Sequence, residues 1–224
     1  MSPIRACIFD LDGVLVDTAR YHYLAWKRLA NELGFDLSER ENERLKGISR
    51  DRSLEIVLEI GGLSLDPAVK QELADKKNRW YVERISRMNE SEVLPGARPF
   101  LEDLRRAGVR TALGSASKNA ATILERTRLA GLFDAVVDGT RTARPKPDPE
   151  VFLLAAQALQ VEPRHCLVFE DAAAGLEAAR RAGMRCVGVG SPEALGMADL
   201  VVSSLEEMTV DRLRLLNRRE RDPQ

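Results

Sequence analysis

The chain lacks a sizeable net charge, a long apolar run and a cysteine framework. Lys+Arg 34 stand against Asp+Glu 35, leaving −1. That balance offers no electrostatic footprint for nucleic acid or an anionic membrane. No run approaches the roughly 18 apolar residues of a bilayer span. The opening MSPIRACIFD has no extended apolar h-region, so no secretion signal is expected. Three cysteines, Cys7, Cys166 and Cys186, fall in predicted strands at wide spacing. An odd count without a CxxC pair argues against both disulfides and zinc. Buried, reduced thiols in a cytoplasmic protein are expected. Internal repeats and low-complexity segments are absent as well.

What is present is an alternating pattern. The 224 residues are 44% hydrophobic, enough for one large domain or a domain with a smaller companion. Short apolar runs at Ile4–Phe9, Arg110–Gly114, Ala135–Val137, Cys166–Phe169, Cys186–Val189 and Leu200–Val202 read as buried strands. Helical patterns fall between and after them, near 97–107, 118–128, 149–160, 173–183 and 205–216. Apolar strands alternating with helices predict an α/β fold with a Rossmann-like parallel sheet covered on both faces. Ligands bind beyond the carboxyl ends of such strands.

Residues 17–92 break the rhythm and show no strand pattern. YHYLAWKRLANELG places Leu24, Trp26, Leu29, Ala30 and Leu33 at helical spacing. SERE at 38–41 has the form of a capping box, and Pro67 opens a further helix through KQELADKKNRWYVERI. The expected organisation is an α/β core of residues 1–16 and 93–224, with a small all-helical cap of residues 17–92 inserted after the first strand. LPG at 94–96 marks the return, and the charged tail RLRLLNRRERDPQ reads as a solvated end.

The chemistry sits at the strand ends. FDLDGVLVDT at 9–18 sets Asp10 and Asp12 after the first strand; Glu170 and Asp171 follow another. Converging carboxylates repel unless a cation lies between them, and Mg²⁺ prefers such oxygen ligands. Lys146 in RPKPDP supplies a point charge for a phosphate, and Ser115 a hydroxyl donor. This set suits phosphoryl transfer, with Asp10 as nucleophile and Asp12 exchanging the proton with the alcohol oxygen. A lone DxDG is also ordinary turn chemistry; the ordered set DLDG, SAS, KPDP and ED, each near a strand's carboxyl end, favours function.

These four segments resemble the motifs of the haloacid dehalogenase-like hydrolase superfamily, from Ile4 to about residue 190. Three further segments resemble its sugar-phosphate mutases: DTARYHYLAWKRLANELG with Thr18, His22 and Trp26; RLKGISRDRSL with Lys46, Gly47, Ser49 and Arg50; and GSASKNAATILERTRLAGLFDAVVDG with Ser115, Ala116, Ser117, Lys118 and Asn119. The resemblance implies that Mg²⁺ is held by the Asp10 carboxylate, the Asp12 backbone carbonyl and Asp171, with Glu170 at or beside it. It implies that Ser115 and Lys146 bind the transferring phosphoryl group, that Thr18 supports a hinge and that His22 orients Asp12 by a hydrogen bond. Gly47, Arg50 and their neighbours, with Ser117, Lys118 and Asn119, would bind the rest of the substrate. The implied reaction interconverts β-D-glucose 1-phosphate and glucose 6-phosphate through β-glucose 1,6-bisphosphate, in a cytoplasmic monomer. A Mg²⁺-dependent sugar-phosphate phosphatase is the alternative. Lys46 and Arg50 also fit a solvated basic face, Ser117 a helix cap, and Trp26 and Trp80 a core. Arg141 and Arg144 make the loop before Lys146 basic, which leaves its substrate contacts open.

Overall fold

The computed structural model describes residues 3–216. The chain runs β1 (Ala6–Phe9), α1 (Ala19–Glu32), α2 (Glu39–Asn42), α3 (Arg50–Ile60), α4 (Pro67–Ile85), α5 (Ala97–Arg106), β2 (Arg110–Gly114), α6 (Ala120–Arg126) and β3 (Ala135–Val137). It continues α7 (Glu150–Ala158), β4 (Cys166–Glu170), α8 (Ala173–Arg181), β5 (Arg185–Val189), α9 (Pro192–Leu195), β6 (Leu200–Val202) and α10 (Val210–Leu216). The six strands form one parallel sheet in the order β3-β2-β1-β4-β5-β6. Successive strand residues alternate between its faces. Cys7 and Phe9 pack with α5 and α6 residues on one side, while Ala6 and Ile8 pack with α7 and α8 residues on the other. Phe9 stacks on Phe169 at 4.6 Å, and Phe100 meets both rings edge-on. All three cysteines are free and buried. Burial pushes the thiols of Cys166 and Cys186 up to about 12 and about 11, so neither is a reactive thiolate at neutral pH.

Between β1 and β2 the described residues form helices and no strand. Trp26, Leu29, Leu37, Leu54, Val57 and Ala74 build a separate apolar cluster there, whereas Tyr81, Ile85 and Met88 pack into the sheet's own core. Exit and return segments pair: Asp17 N–H donates to Glu92 O at 3.3 Å and Leu94 N–H to Leu15 O at 2.9 Å. The Ser38–Glu41 capping box forms, with Ser38 N–H to Glu41 Oε2 at 2.9 Å and Glu41 N–H to Ser38 Oγ at 3.3 Å.

Three expectations shift. Leu24 is exposed, because two positions at about 100° each put it on the far side of α1 from Trp26. The helix expected over 205–216 is two pieces, a 3-10 turn Leu205–Glu207 and α10. Ser204 Oγ accepts from Glu206 N–H and Thr209 Oγ1 from Arg212 N–H, so each piece has its own start. The helix expected from 118 begins at Ala120, since 115–119 form a polar turn in which hydroxyls take backbone N–H groups. The tail beyond residue 216 lies outside the described residues. Among those residues no helix is long and apolar enough to cross a membrane.

Candidate active site

The carboxyl ends of β2, β1 and β4 lie side by side, because β1 is the strand from which the order turns both ways. Ser115, Asp10 and Glu170–Asp171 are delivered together by that topology. Asp10 N–H continues the ladder to Phe169 O at 2.9 Å. Its Oδ2 accepts from Asp12 N–H at 3.1 Å and its Oδ1 from Lys146 Nζ at 2.6 Å. Lys146 Nζ also ion-pairs with Glu170 Oε1 and lies 4.8 Å from the Phe152 ring centroid. Glu170 is fully buried, and its Oε2 accepts from Ala172 N–H at 3.0 Å.

Burial drives the electrostatics. It pulls the Lys146 ammonium down, but Asp10 and Glu170 outweigh it and hold the group protonated. Burial pushes Glu170 up to about 7, against Lys146. Burial, then Glu170 and Asp10, raises Asp171 well above the usual carboxylate range. One oxygen each from Asp10, Glu170 and Asp171 lies within 4.8 Å of the others. Three hard oxygen donors that destabilise one another's charge fit a small divalent cation such as Mg²⁺. Gly13 permits the approach: its φ is +80°, and a Cβ there would strike the Asp171 carboxylate.

Asp12 is held differently. Thr18, buried at the start of α1, donates its hydroxyl to Asp12 Oδ1 rather than capping its own helix. Burial and then Asp10 push Asp12 up to about 6. The expected His22–Asp12 hydrogen bond is not formed here, since His22 Nε2 lies 3.9 Å from Asp12 Oδ2. The ring is fixed instead by Lys77 Nζ, 2.8 Å from Nδ1, and by stacking on Tyr81 at 3.9 Å. Burial, with Lys77 and Arg50 nearby, lowers His22 and keeps the imidazole neutral. When the Lys77 ammonium donates to Nδ1, the ring proton is on Nε2, which faces Asp12.

A cavity of 280 Å³ opens between the strand ends and the helices. Its sheet side carries Asp10, Asp12, Ser115, Ala116, Ser117, Lys118, Asn119 and Asp171. Its helical side carries His22, Trp26, Lys46, Gly47, Ser49 and Arg50. Thr18, Lys146 and Glu170 lie behind this wall, and the Lys146 ammonium rests on carboxylates. Gly47 adopts φ +71°, and a Cβ there would meet Ala172 Cβ at 2.9 Å, so glycine lets the helical layer approach α8. Ser49 caps α3 by accepting from Arg52 N–H at 3.3 Å. Lys46 pairs with Glu43 at 2.9 Å, and Arg50 lies 3.9 Å from Asp75. Trp26 is buried yet reaches the cavity, with Lys77 Nζ 4.4 Å from its ring centroid. Arg141 and Arg144 are exposed and turned elsewhere: Arg141 donates to Val136 O at 2.9 Å, and Arg144 pairs with Asp148 at 3.2 Å. Thr142 and Ala143, between and beside them, line the cavity instead.

Sequence reading passed over Lys77, Asn78 and Tyr81. Lys77 is 2% exposed, and Tyr81 is buried with a hydroxyl that has no hydrogen-bond partner among the described residues. The charged run KKNR at 76–79 resembles a solvated face. The available signal was spacing, for Ala74, Lys77, Tyr81 and Ile85 form one buried stripe along α4.

Comparison with known proteins accords with this geometry. The chain is 45% identical over 212 residues to beta-phosphoglucomutase of Bacillus subtilis (strain 168), covering 94% of each chain. It is 35% identical over 192 residues to a phosphorylated carbohydrates phosphatase of Thermotoga maritima, covering 83% of this chain and 85% of that one. The crystal structure of beta-phosphoglucomutase from Clostridium difficile superimposes with a TM-score of 0.93 at 40% identity, covering 96% of this chain and 98% of that chain. The family model for haloacid dehalogenase-like hydrolases matches residues 4–183, from the approach to β1 through the end of α8, and the chain belongs to that family.

Proposed function

We propose that this protein is a β-phosphoglucomutase, interconverting β-D-glucose 1-phosphate and D-glucose 6-phosphate through an aspartyl-phosphate and β-glucose 1,6-bisphosphate. The observation that carries the reading is a single cavity lined both by the Asp10–Ser115 chemistry and by further cationic and amide donors. Asp10 and Ser115 line it together with Arg50, Lys118 and Asn119, which offer donors for a second phosphate. The similarity to beta-phosphoglucomutases over most of the chain supports it.

In the proposed sequence an Asp10 carboxylate oxygen forms a bond to phosphorus as the bond from phosphorus to the sugar oxygen breaks. Asp12 gives that oxygen its proton. In the second half the free hydroxyl of a sugar monophosphate passes its proton to Asp12, and its oxygen attacks phosphorus as the Asp10–phosphorus bond breaks; the bisphosphate so formed re-enters the first half through its other phosphate. A group raised to about 6 is suited to both directions near neutral pH. Thr18 positions Asp12 through its hydroxyl, with the His22 ring beside it, and Ser115 donates to the phosphoryl oxygens. Lys146 neutralises charge around Asp10. Mg²⁺, held by Asp10, Asp171 and the Asp12 carbonyl with Glu170 beside them, would supply charge neutralisation for the transferring group.

The reading takes residues 1–16 and 93–224 as the core and 17–92 as a cap that closes over small-molecule sugar phosphates, excluding water. It includes a cytoplasmic monomer, for which light scattering should give a single-chain mass. The decisive experiment supplies β-glucose 1-phosphate with Mg²⁺ and a trace of β-glucose 1,6-bisphosphate, with the α-anomer as control. Glucose 6-phosphate forming from the β-anomer alone, with little free phosphate, is expected. Free phosphate rising one-for-one with substrate loss would make the protein a sugar-phosphate phosphatase.

A further inference from the structure

One uncharged side-chain pair spans the cavity. Asn119 Nδ2 donates to Asn78 Oδ1 at 3.1 Å. Asn78 lies on α4 and Asn119 just before α6, so the bond joins the helical layer to the sheet's carboxyl edge. Both residues line the cavity.

Asn119 occupies the N-cap position of α6, yet its side chain makes no capping hydrogen bond. An asparagine there ordinarily turns its oxygen back onto its own helix. Here its backbone N–H is taken by Ser117 Oγ at 3.3 Å, and the carboxamide reaches across to Asn78. A carboxamide carries two N–H donors, and the bridge uses one. The other remains for a ligand while the bridge stays intact. The acceptor's neutrality matters because Lys77, Arg50 and Lys118 line the same cavity. A carboxylate at position 78 would compete with a phosphate for those cations, whereas an amide oxygen orients Asn119 without doing so.

We propose that Asn78 is a positioning residue for the second phosphate, fixing the Asn119 carboxamide by the bond that ties α4 to the start of α6. The inference rests on the mutase reading for the identity of the ligand. It assigns Asn78 no contact with the reacting atoms.

The test is a cycle of N78A, N119A and the double variant, assayed for β-glucose 1-phosphate conversion with Mg²⁺ and the bisphosphate primer. A net hydrogen bond is worth about three- to tenfold in an equilibrium. N78A should therefore raise KM about three- to tenfold, with kcat held within about twofold. The double variant should be no worse than N119A, because both single changes remove the same bond. An unchanged KM in N78A, or effects that multiply in the double variant, would overturn the proposal. A sugar-free measurement separates its failure from that of the mutase reading. In a Trp80→Phe background, acrylamide quenching reports on the buried cavity residue Trp26. N78A should raise quenching if the bridge holds the two layers together; unchanged quenching would refute the bridge even if glucose 6-phosphate forms. A parent enzyme that makes no glucose 6-phosphate would instead sink the mutase reading, and with it the ligand assigned to Asn119.

Discussion

Two neighbouring aspartates are set apart by their partners. Asp10 faces the Lys146 ammonium, while Asp12 faces a hydroxyl and a neutral imidazole. Asp10→Asn should abolish capture of a phosphoryl group, read as loss of acid-stable, hydroxylamine-labile protein-bound phosphate. Asp12→Asn should stop turnover but keep Mg²⁺ affinity within about threefold by calorimetry, since its proposed metal contact is a backbone carbonyl. A comparable loss of affinity in both variants would contradict that division. Lys77 offers a pH test. Burial, then Arg50, pulls its ammonium down to about 7, with Asp12 opposing. The unfolded chain keeps that proton to about 10.4. Between those values the unfolded state binds more protons, so this group's contribution to stability rises with pH across the window. Below it, the full cost of a buried charge applies. Lys77→Met removes the dependence. Unfolding free energies from urea titrations should favour the variant over its parent by at least about 1 kcal/mol more at pH 6 than at pH 9. Lys77 went unnoticed in the sequence because a lysine among charged neighbours carries no sign of burial; α4's packing supplies it.

Short elements decide how closely the acids approach. The turn after β1 brings Gly13 under Asp171 at φ +80°. Gly13→Ala would strain the backbone and displace the carboxylate, and should cost roughly 1–3 kcal/mol. The expected readouts are a thermal midpoint lower by about 2 °C or more and weaker Mg²⁺ binding. The strands were legible because a parallel sheet buries both faces, leaving near-continuous apolar runs such as ACIF. The break at Met208–Thr209 was not, since hydroxyl capping competes with helix continuation at a balance that periodicity does not reveal.

Across the whole molecule, the site exists because a helical layer is folded back over one end of the sheet. Arg50, at the start of α3, reaches the same cavity as Asp10, which is bound to β1's end. Arg50→Ala should lower kcat/KM for β-glucose 1-phosphate about 10- to 100-fold, the size of a lost charge-assisted bond. Hydrolysis of a small aryl phosphate, which has no second phosphate to hold, should fall far less. Equal losses would count against a remote-phosphate role. By itself the sequence determined the strand–helix alternation, the helical insertion and the acids, serine and lysine near strand ends, because these depend on local periodicity and residue type. Only the tertiary structure decided that Lys146 rests between Asp10 and Glu170, that Thr18 rather than His22 hydrogen-bonds Asp12, and that Lys77 and Asn78 face the cavity. Those are choices among partners distant in the chain, set by strand order and by how closely the helical layer packs.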